Sequence, residues 1–139
     1  MEEELNAALY QEAAEQGDAE AQCRLGWCYD LGAGVEKDRE EAVRWYRKAV
    51  EQGFDQAQYN LGVCYYSGEG VKQDYTEAVR LYRKAADQGH AEAQYQLGRC
   101  YYFGKGVEKD EQEAVRWWRK AADQGHAESR SALHELGSD

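Results

Sequence analysis

An all-α repeat array is the fold class this sequence predicts, and three observations carry the prediction. The 139-residue chain repeats itself every 36 residues without a gap, over 19–54, 55–90 and 91–126. Within each copy, small and aromatic residues recur at spacings of three and four, the period of a helix face. Proline is absent, while aspartate and glycine stand at fixed positions where helices would start and stop. Composition alone would argue otherwise. Isoleucine is missing and the net charge is -10, a balance usually read as disorder. Fixed register overrides that reading, because a disordered chain has no cause to keep it.

The single repeat domain over 1–139 begins with a half repeat at 4–18, where "LYQEAAEQGD" matches the end of a full copy. Repeats 19–54, 55–90 and 91–126 then read as two helices each. In the first helix of the second copy, Ala57, Leu61, Cys64 and Tyr65 form the apolar stripe. Ala78, Val79, Tyr82, Ala85 and Ala86 form it in the second helix. Asp38, Asp74 and Asp110 are placed to cap the second helices, each with a glutamate three residues on that could reach back as a capping box. Gly53, Gly89 and Gly125 end those helices. The chain closes with a half repeat at 127–139, beginning "AESRSALHELG".

Gly26, Gly62 and Gly98 fall inside the first helices, where glycine costs about 1 kcal/mol against alanine. Repeating that cost implies close approach by a neighbouring helix backbone. In the last half repeat His134 takes the glycine position and Ser129 the position of Ala21, Ala57 and Ala93, as expected of a terminal cap.

The loops "LGAGVEKD", "SGEGVKQD" and "FGKGVEKD" suggest phosphate binding at first sight. A nucleotide fingerprint needs a strand before the glycines and a helix after them. Here a helix precedes each loop and the Lys-Ser/Thr pair is missing. They read as turns, with Val35, Val71 and Val107 tucked under the helices.

No constellation points to catalysis, a cofactor or a metal. The acidic balance, with pI near 4.8, argues against nucleic acid and anionic membranes as partners. A basic stripe through Arg44, Arg47 and Lys48 and its repeats could recruit acidic partners, but reads better as a solvated helix face. Cys28, Cys64 and Cys100 lie on the core stripe and Cys23 is expected to be more exposed. Stacked equivalent helices, about 8–10 Å apart, put such cysteines beyond disulfide reach of about 7 Å. Unpaired thiols and an N-terminus without secretory character favour a cytoplasmic location. His90 and His126 share a turn position with Asp18 and Phe54, which does not suggest a ligand.

The recurring pattern, "A–x3–LG–x2–Y–x2–G–x–GV–x2–D" followed by "A–x2–WY–x–KAA–x2–G", resembles the Sel-one-like repeat family, relatives of the tetratricopeptide repeats, over essentially the whole chain. The resemblance implies a right-handed α-solenoid, a superhelix of antiparallel helix pairs. It also implies a non-enzymatic adaptor that binds a protein or peptide on its concave face, the chain itself being a monomer unless copies join end to end. Carried over position by position, that face holds Trp27, Asp30, Tyr59, Asn60, Val63, Tyr66, Tyr95, Arg99, Tyr102 and Phe103. Gln22, Gln58 and Gln94, or Arg24, Asn60 and Gln96, would flank it. Trp27, Val63 and Arg99 differ at one equivalent site, as a surface free to specialise would. The alternative is a stability-selected or consensus-derived scaffold with no dedicated partner. Some relatives join two cysteines per repeat, but Val50, Ala86 and Ala122 offer no second one here.

Overall fold

Aspartate starts each second helix by taking up a backbone N–H that the helix cannot satisfy itself. Asp38, Asp74 and Asp110 accept from the N–H groups of Glu41, Glu77 and Glu113 at 3.1, 3.1 and 3.0 Å. The reciprocal half of the capping box is replaced. The three glutamate carboxylates pair instead with Arg44, Arg80 and Arg116, three residues on.

The computed structural model describes residues 5–137. Among these, eight helices and no strand are found. The chain divides into two compact units between Gln73 and Asp74. The first holds α1 (Ala7–Glu15), α2 (Ala19–Leu31), α3 (Arg39–Glu51) and α4 (Asp55–Ser67). The second holds α5 (Tyr75–Asp87), α6 (Ala91–Phe103), α7 (Glu111–Asp123) and α8 (Ala127–Glu135). Residue 4 of the expected first half repeat and residues 138–139 of the last lie outside the described residues.

In the first unit, Ala7, Ala14, Ala21, Leu25 and Cys28 form a core seam, with Tyr10, Val35 and Trp45 packed against it. In the second, Ala114, Trp118 and Leu133 pack with Tyr95, Tyr102 and Val115. So much alanine in the core lets helices approach closely, and the large aromatics fill the remaining space.

The helical glycines are explained by this packing, though through side chains more than backbone. A methyl group at Gly26 would lie 2.7 Å from the Tyr46 ring and 3.1 Å from the Ala42 carbonyl oxygen. At Gly98 it would lie 2.6 Å from Cδ1 of Trp118. In both cases an aromatic ring from the second helix of the same repeat occupies the space above the glycine.

The loops are turns, and their second glycine has its own cause. Gly106 has φ +74, and a methyl group there would lie 2.6 Å from the carbonyl carbon of Tyr75. The loop therefore rests on the start of α5. Gly70 meets Arg39 at the start of α3 in the same way.

Two expectations are corrected. Gln22, Gln58 and Gln94 do not flank an open face: each is 5% exposed. Gln22 donates to the Ala14 carbonyl at 3.1 Å and accepts from Gln52 at 2.9 Å. Gln94 repeats this with Ala86 and Gln124 at 3.1 and 2.9 Å. A buried carboxamide with both ends bonded ties three helices together, and satisfied buried polar groups of this kind fix register. Cys23 is also buried, at 3% exposure, because the Asn60 amide approaches its sulfur at 3.6 Å.

Burial shifts the thiols. Desolvation raises Cys23 and Cys64 to about 12 and Cys100 to about 11, and raises Cys28 as well. The folded state thus holds these protons above the ordinary thiol value of 9.0. Their stabilising contribution is complete below that value and is lost as pH rises toward about 12. The urea midpoint is expected to fall between pH 8 and pH 10.5. A variant with Cys23, Cys64 and Cys100 replaced by alanine should show a shallower fall, and an equal one would contradict the assignment.

Candidate functional site

On the first unit, α2 and the start of α4 enclose an open groove of about 560 Å³. Trp27, with 47% of its surface exposed, lines it together with Phe54 and Tyr59. Glu20 and Arg24 form a polar rim and are ion-paired at 3.0 Å. Gln56 donates to Asn60 at 2.9 Å, which sets the carboxamide that covers Cys23.

Of the residues the sequence places on a binding face in this unit, Trp27, Tyr59 and Asn60 line the groove. Asp30, Val63 and Tyr66 do not. Asp30 instead meets Arg39 at 3.5 Å, and Arg39 reaches Glu69 at 3.7 Å. Val63 and Tyr66 are half-buried on α4. The groove adds Glu20, Phe54 and Gln56, which the repeat columns did not single out. Phe54 was hidden because its position holds helix-capping residues elsewhere. Asp18, His90 and His126 cap through their side chains, whereas Phe54 makes no such bond. That exception was the available signal, since a residue that forgoes a cap is free to serve a surface.

In the second unit, Tyr95, Arg99 and Phe103 stand four residues apart on α6. The Arg99 guanidinium lies 6.0 Å from the Tyr95 ring centre and 5.9 Å from that of Phe103. Each contact is worth about 0.5–1 kcal/mol at an exposed site. Tyr102 meets Phe103 edge-on at 5.0 Å and Trp118 at 5.5 Å. Phe103 remains 57% exposed, and among the described residues Arg99 forms no ion pair. The row presents a flat, preset cation between two aromatic faces.

Most of the basic stripe is engaged. Arg47 and Arg83 donate to the hydroxyls of Tyr65 and Tyr101 at 2.8 and 2.5 Å. Lys48 and Lys120 lie over the Trp45 and Trp117 rings. Arg44, Arg80 and Arg116 pair along their own helices with Glu41, Glu77 and Glu113.

A cluster not anticipated from the sequence lies ahead of α8, where Glu92, His126 and Glu128 converge. The trio joins a capping histidine to glutamates from the first turns of α6 and α8, which no single repeat position brings together.

These helix pairs, glycine-mounted rings and bonded glutamines define a helical-repeat protein of the α-solenoid class. A family model for the Sel1 repeat matches residues 7–18, 19–54, 55–90 and 91–126, and the chain belongs to that family. It is similar to c5321, a protective antigen present in uropathogenic Escherichia coli strains with an SLR fold. That similarity runs at 42% identity and TM-score 0.91, over 95% of this chain and 28% of that one. A Sel1 repeat protein from Oxalobacter formigenes matches at 38% identity and TM-score 0.83, over 91% and 58%. Helicobacter pylori cysteine-rich protein B matches at 27% and TM-score 0.73, over 91% and 96%. The chain thus spans less than two thirds of the first two. No curated protein matched. Sel1 repeat proteins are generally non-enzymatic scaffolds for protein interaction. No helix among the described residues is long and apolar enough to cross a membrane.

Proposed function

We propose that this chain is an interaction scaffold that captures a protein segment, an extended peptide or a helix, in the concave groove that its family's solenoid implies for the first helices. The observation that carries the reading is Trp27, a large aromatic held at 47% exposure beside a groove that Tyr59 also lines. Much of that ring stays at the surface, and aromatic anchors beside a pocket are what interfaces draw their energy from. An apolar side chain of the partner enters the groove, and Asn60 and the Glu20–Arg24 rim set its direction. On α6, Arg99 takes a carboxylate while Tyr95, Tyr102 and Phe103 supply contact area. The repeat plan of this domain is three whole units, 19–54, 55–90 and 91–126, between half repeats at 4–18 and 127–139. The scaffold acts as a monomer, and partner capture in the groove uses no cofactor or catalytic group.

Selection from a displayed random-peptide library tests the reading. Peptides enriched on the parent chain should bind Trp27→Ala at least about 10-fold more weakly, the scale of an interface anchor. Tyr59→Ala and Arg99→Ala should also weaken binding, and helical circular dichroism should not change. Equal affinity across all three variants would remove the site assignment. A second reading has its own support, since residues 83–92 and 119–128 are identical, as in a scaffold kept for stability alone. Failure to enrich any peptide would favour it.

A further inference from the structure

The turn ahead of α8 holds a side-chain set that neither the groove nor helix capping requires. His126 caps α8 by accepting from the Ser129 N–H through Nδ1 at 3.2 Å. Its Nε2 then faces two carboxylates, Glu92 at 2.6 Å and Glu128 at 3.3 Å. The imidazole is 10% exposed, and the three donor atoms lie within 4.8 Å of one another. Ligands on a tetrahedral ion with bonds of about 2.0–2.2 Å stand about 3.3 Å apart. Glu128 already has that spacing, and Glu92, more than a third exposed, reaches it by moving under about 1 Å.

Ser129 supplies an independent observation. The equivalent residues are Ala21, Ala57 and Ala93, yet here a hydroxyl is fully buried, with Oγ 3.0 Å from Nδ1 of His126. A metal-bound histidine usually donates its other ring N–H to a nearby oxygen, which fixes the ring. Ser129 Oγ stands where that acceptor is needed. His90 caps α6 with the same atom, but Ala93 offers it no hydroxyl. The turn register separates the two further. The glutamates flanking His126 are both present, whereas the residues equivalent to them around His90 are Gln56 and Glu92. The Tyr95 ring, 5.0 Å from the imidazole, shields one side.

We propose that Glu92, His126 and Glu128 bind a divalent transition metal of the zinc type, with water completing its shell. One imidazole beside two carboxylates suits zinc, and selects against magnesium and calcium, which prefer all-oxygen sets. Without metal, Nδ1 accepts and Nε2 carries the proton toward Glu92. On binding, Nε2 gives its proton to solvent and Nδ1 takes one up. Nδ1 then donates to Ser129 Oγ, and the Ser129 N–H loses its acceptor. None of these residues lines the peptide groove, so the site stands or falls separately.

Titration of the full chain with zinc chloride by calorimetry tests the proposal, with thermal unfolding as a second readout. One equivalent of zinc is expected to bind and raise Tm. His126→Asn keeps a side chain able to cap α8 and should abolish both effects. Glu92→Gln and Ser129→Ala should each weaken binding, Ser129→Ala by about 10–100-fold as outer-shell partners do. His90→Asn should leave binding unchanged. No binding up to millimolar zinc, or binding that survives His126→Asn, or equal loss in His90→Asn, would overturn the site.

Discussion

Trp118→Ala is expected to lower the unfolding free energy by about 3–5 kcal/mol, the range for removing a large buried aromatic. The ring is 4% exposed, covers Gly98, and donates from Nε1 to the Tyr95 carbonyl at 3.1 Å. Its removal leaves a cavity between α6 and α7 and an unpaired carbonyl. The partner change, Gly98→Ala, should also destabilise the parent chain. A methyl group there would press on the ring, and overpacking costs about 1–3 kcal/mol, more than the roughly 1 kcal/mol that alanine gains over glycine in a helix. In the Trp118→Ala background the ring is gone, so Gly98→Ala should become stabilising by up to about 1 kcal/mol. Urea denaturation of the four proteins in a double-mutant cycle measures the coupling. Additive effects would mean that the ring does not explain the glycine.

Gly106→Ala is expected to cost about 2–4 kcal/mol, from two sources that a control can separate. A left-handed backbone costs a residue with a side chain about 1–2 kcal/mol. Steric conflict with the Tyr75 carbonyl adds a further amount of overpacking size, since backbone at the start of α5 cannot rotate away as a side chain could. Gly125 has φ +88 but nothing within 4 Å of a new methyl group, so Gly125→Ala should show the conformational part alone. The difference in urea midpoints between the two variants reads the contact. Equal losses would show that the loop does not rest on α5 as described.

The two glycines of each loop illustrate how much the sequence disclosed. That the loops are turns followed from the repeat and from the helices on either side. Why the second glycine is needed did not, because its partner is a carbonyl 31 residues earlier, at Tyr75 for Gly106. The helical glycines gave a similar half-answer. Their cost in the sequence predicted close approach, while the structure identified the rings of Tyr46 and Trp118 as what approaches.

What the sequence determined by itself was the period, the helix pairs, their aspartate caps and the family to which they belong. Each follows from spacing within a few residues or from recurrence at 36, and both are linear properties. Only the tertiary structure decided which polar residues turn inward and which groups meet. Gln22 and Gln94 are exposed-type residues by composition, yet bonding at both ends makes their burial tolerable. Cys23 is covered by an amide from 37 residues away. Asp30 leaves the groove for Arg39, Phe54 enters it, and Glu92 reaches the turn of His126 across 34 residues. Hydrogen bonds and ion pairs act over about 3 Å of space, whatever the separation along the chain, and the folded backbone alone sets that distance.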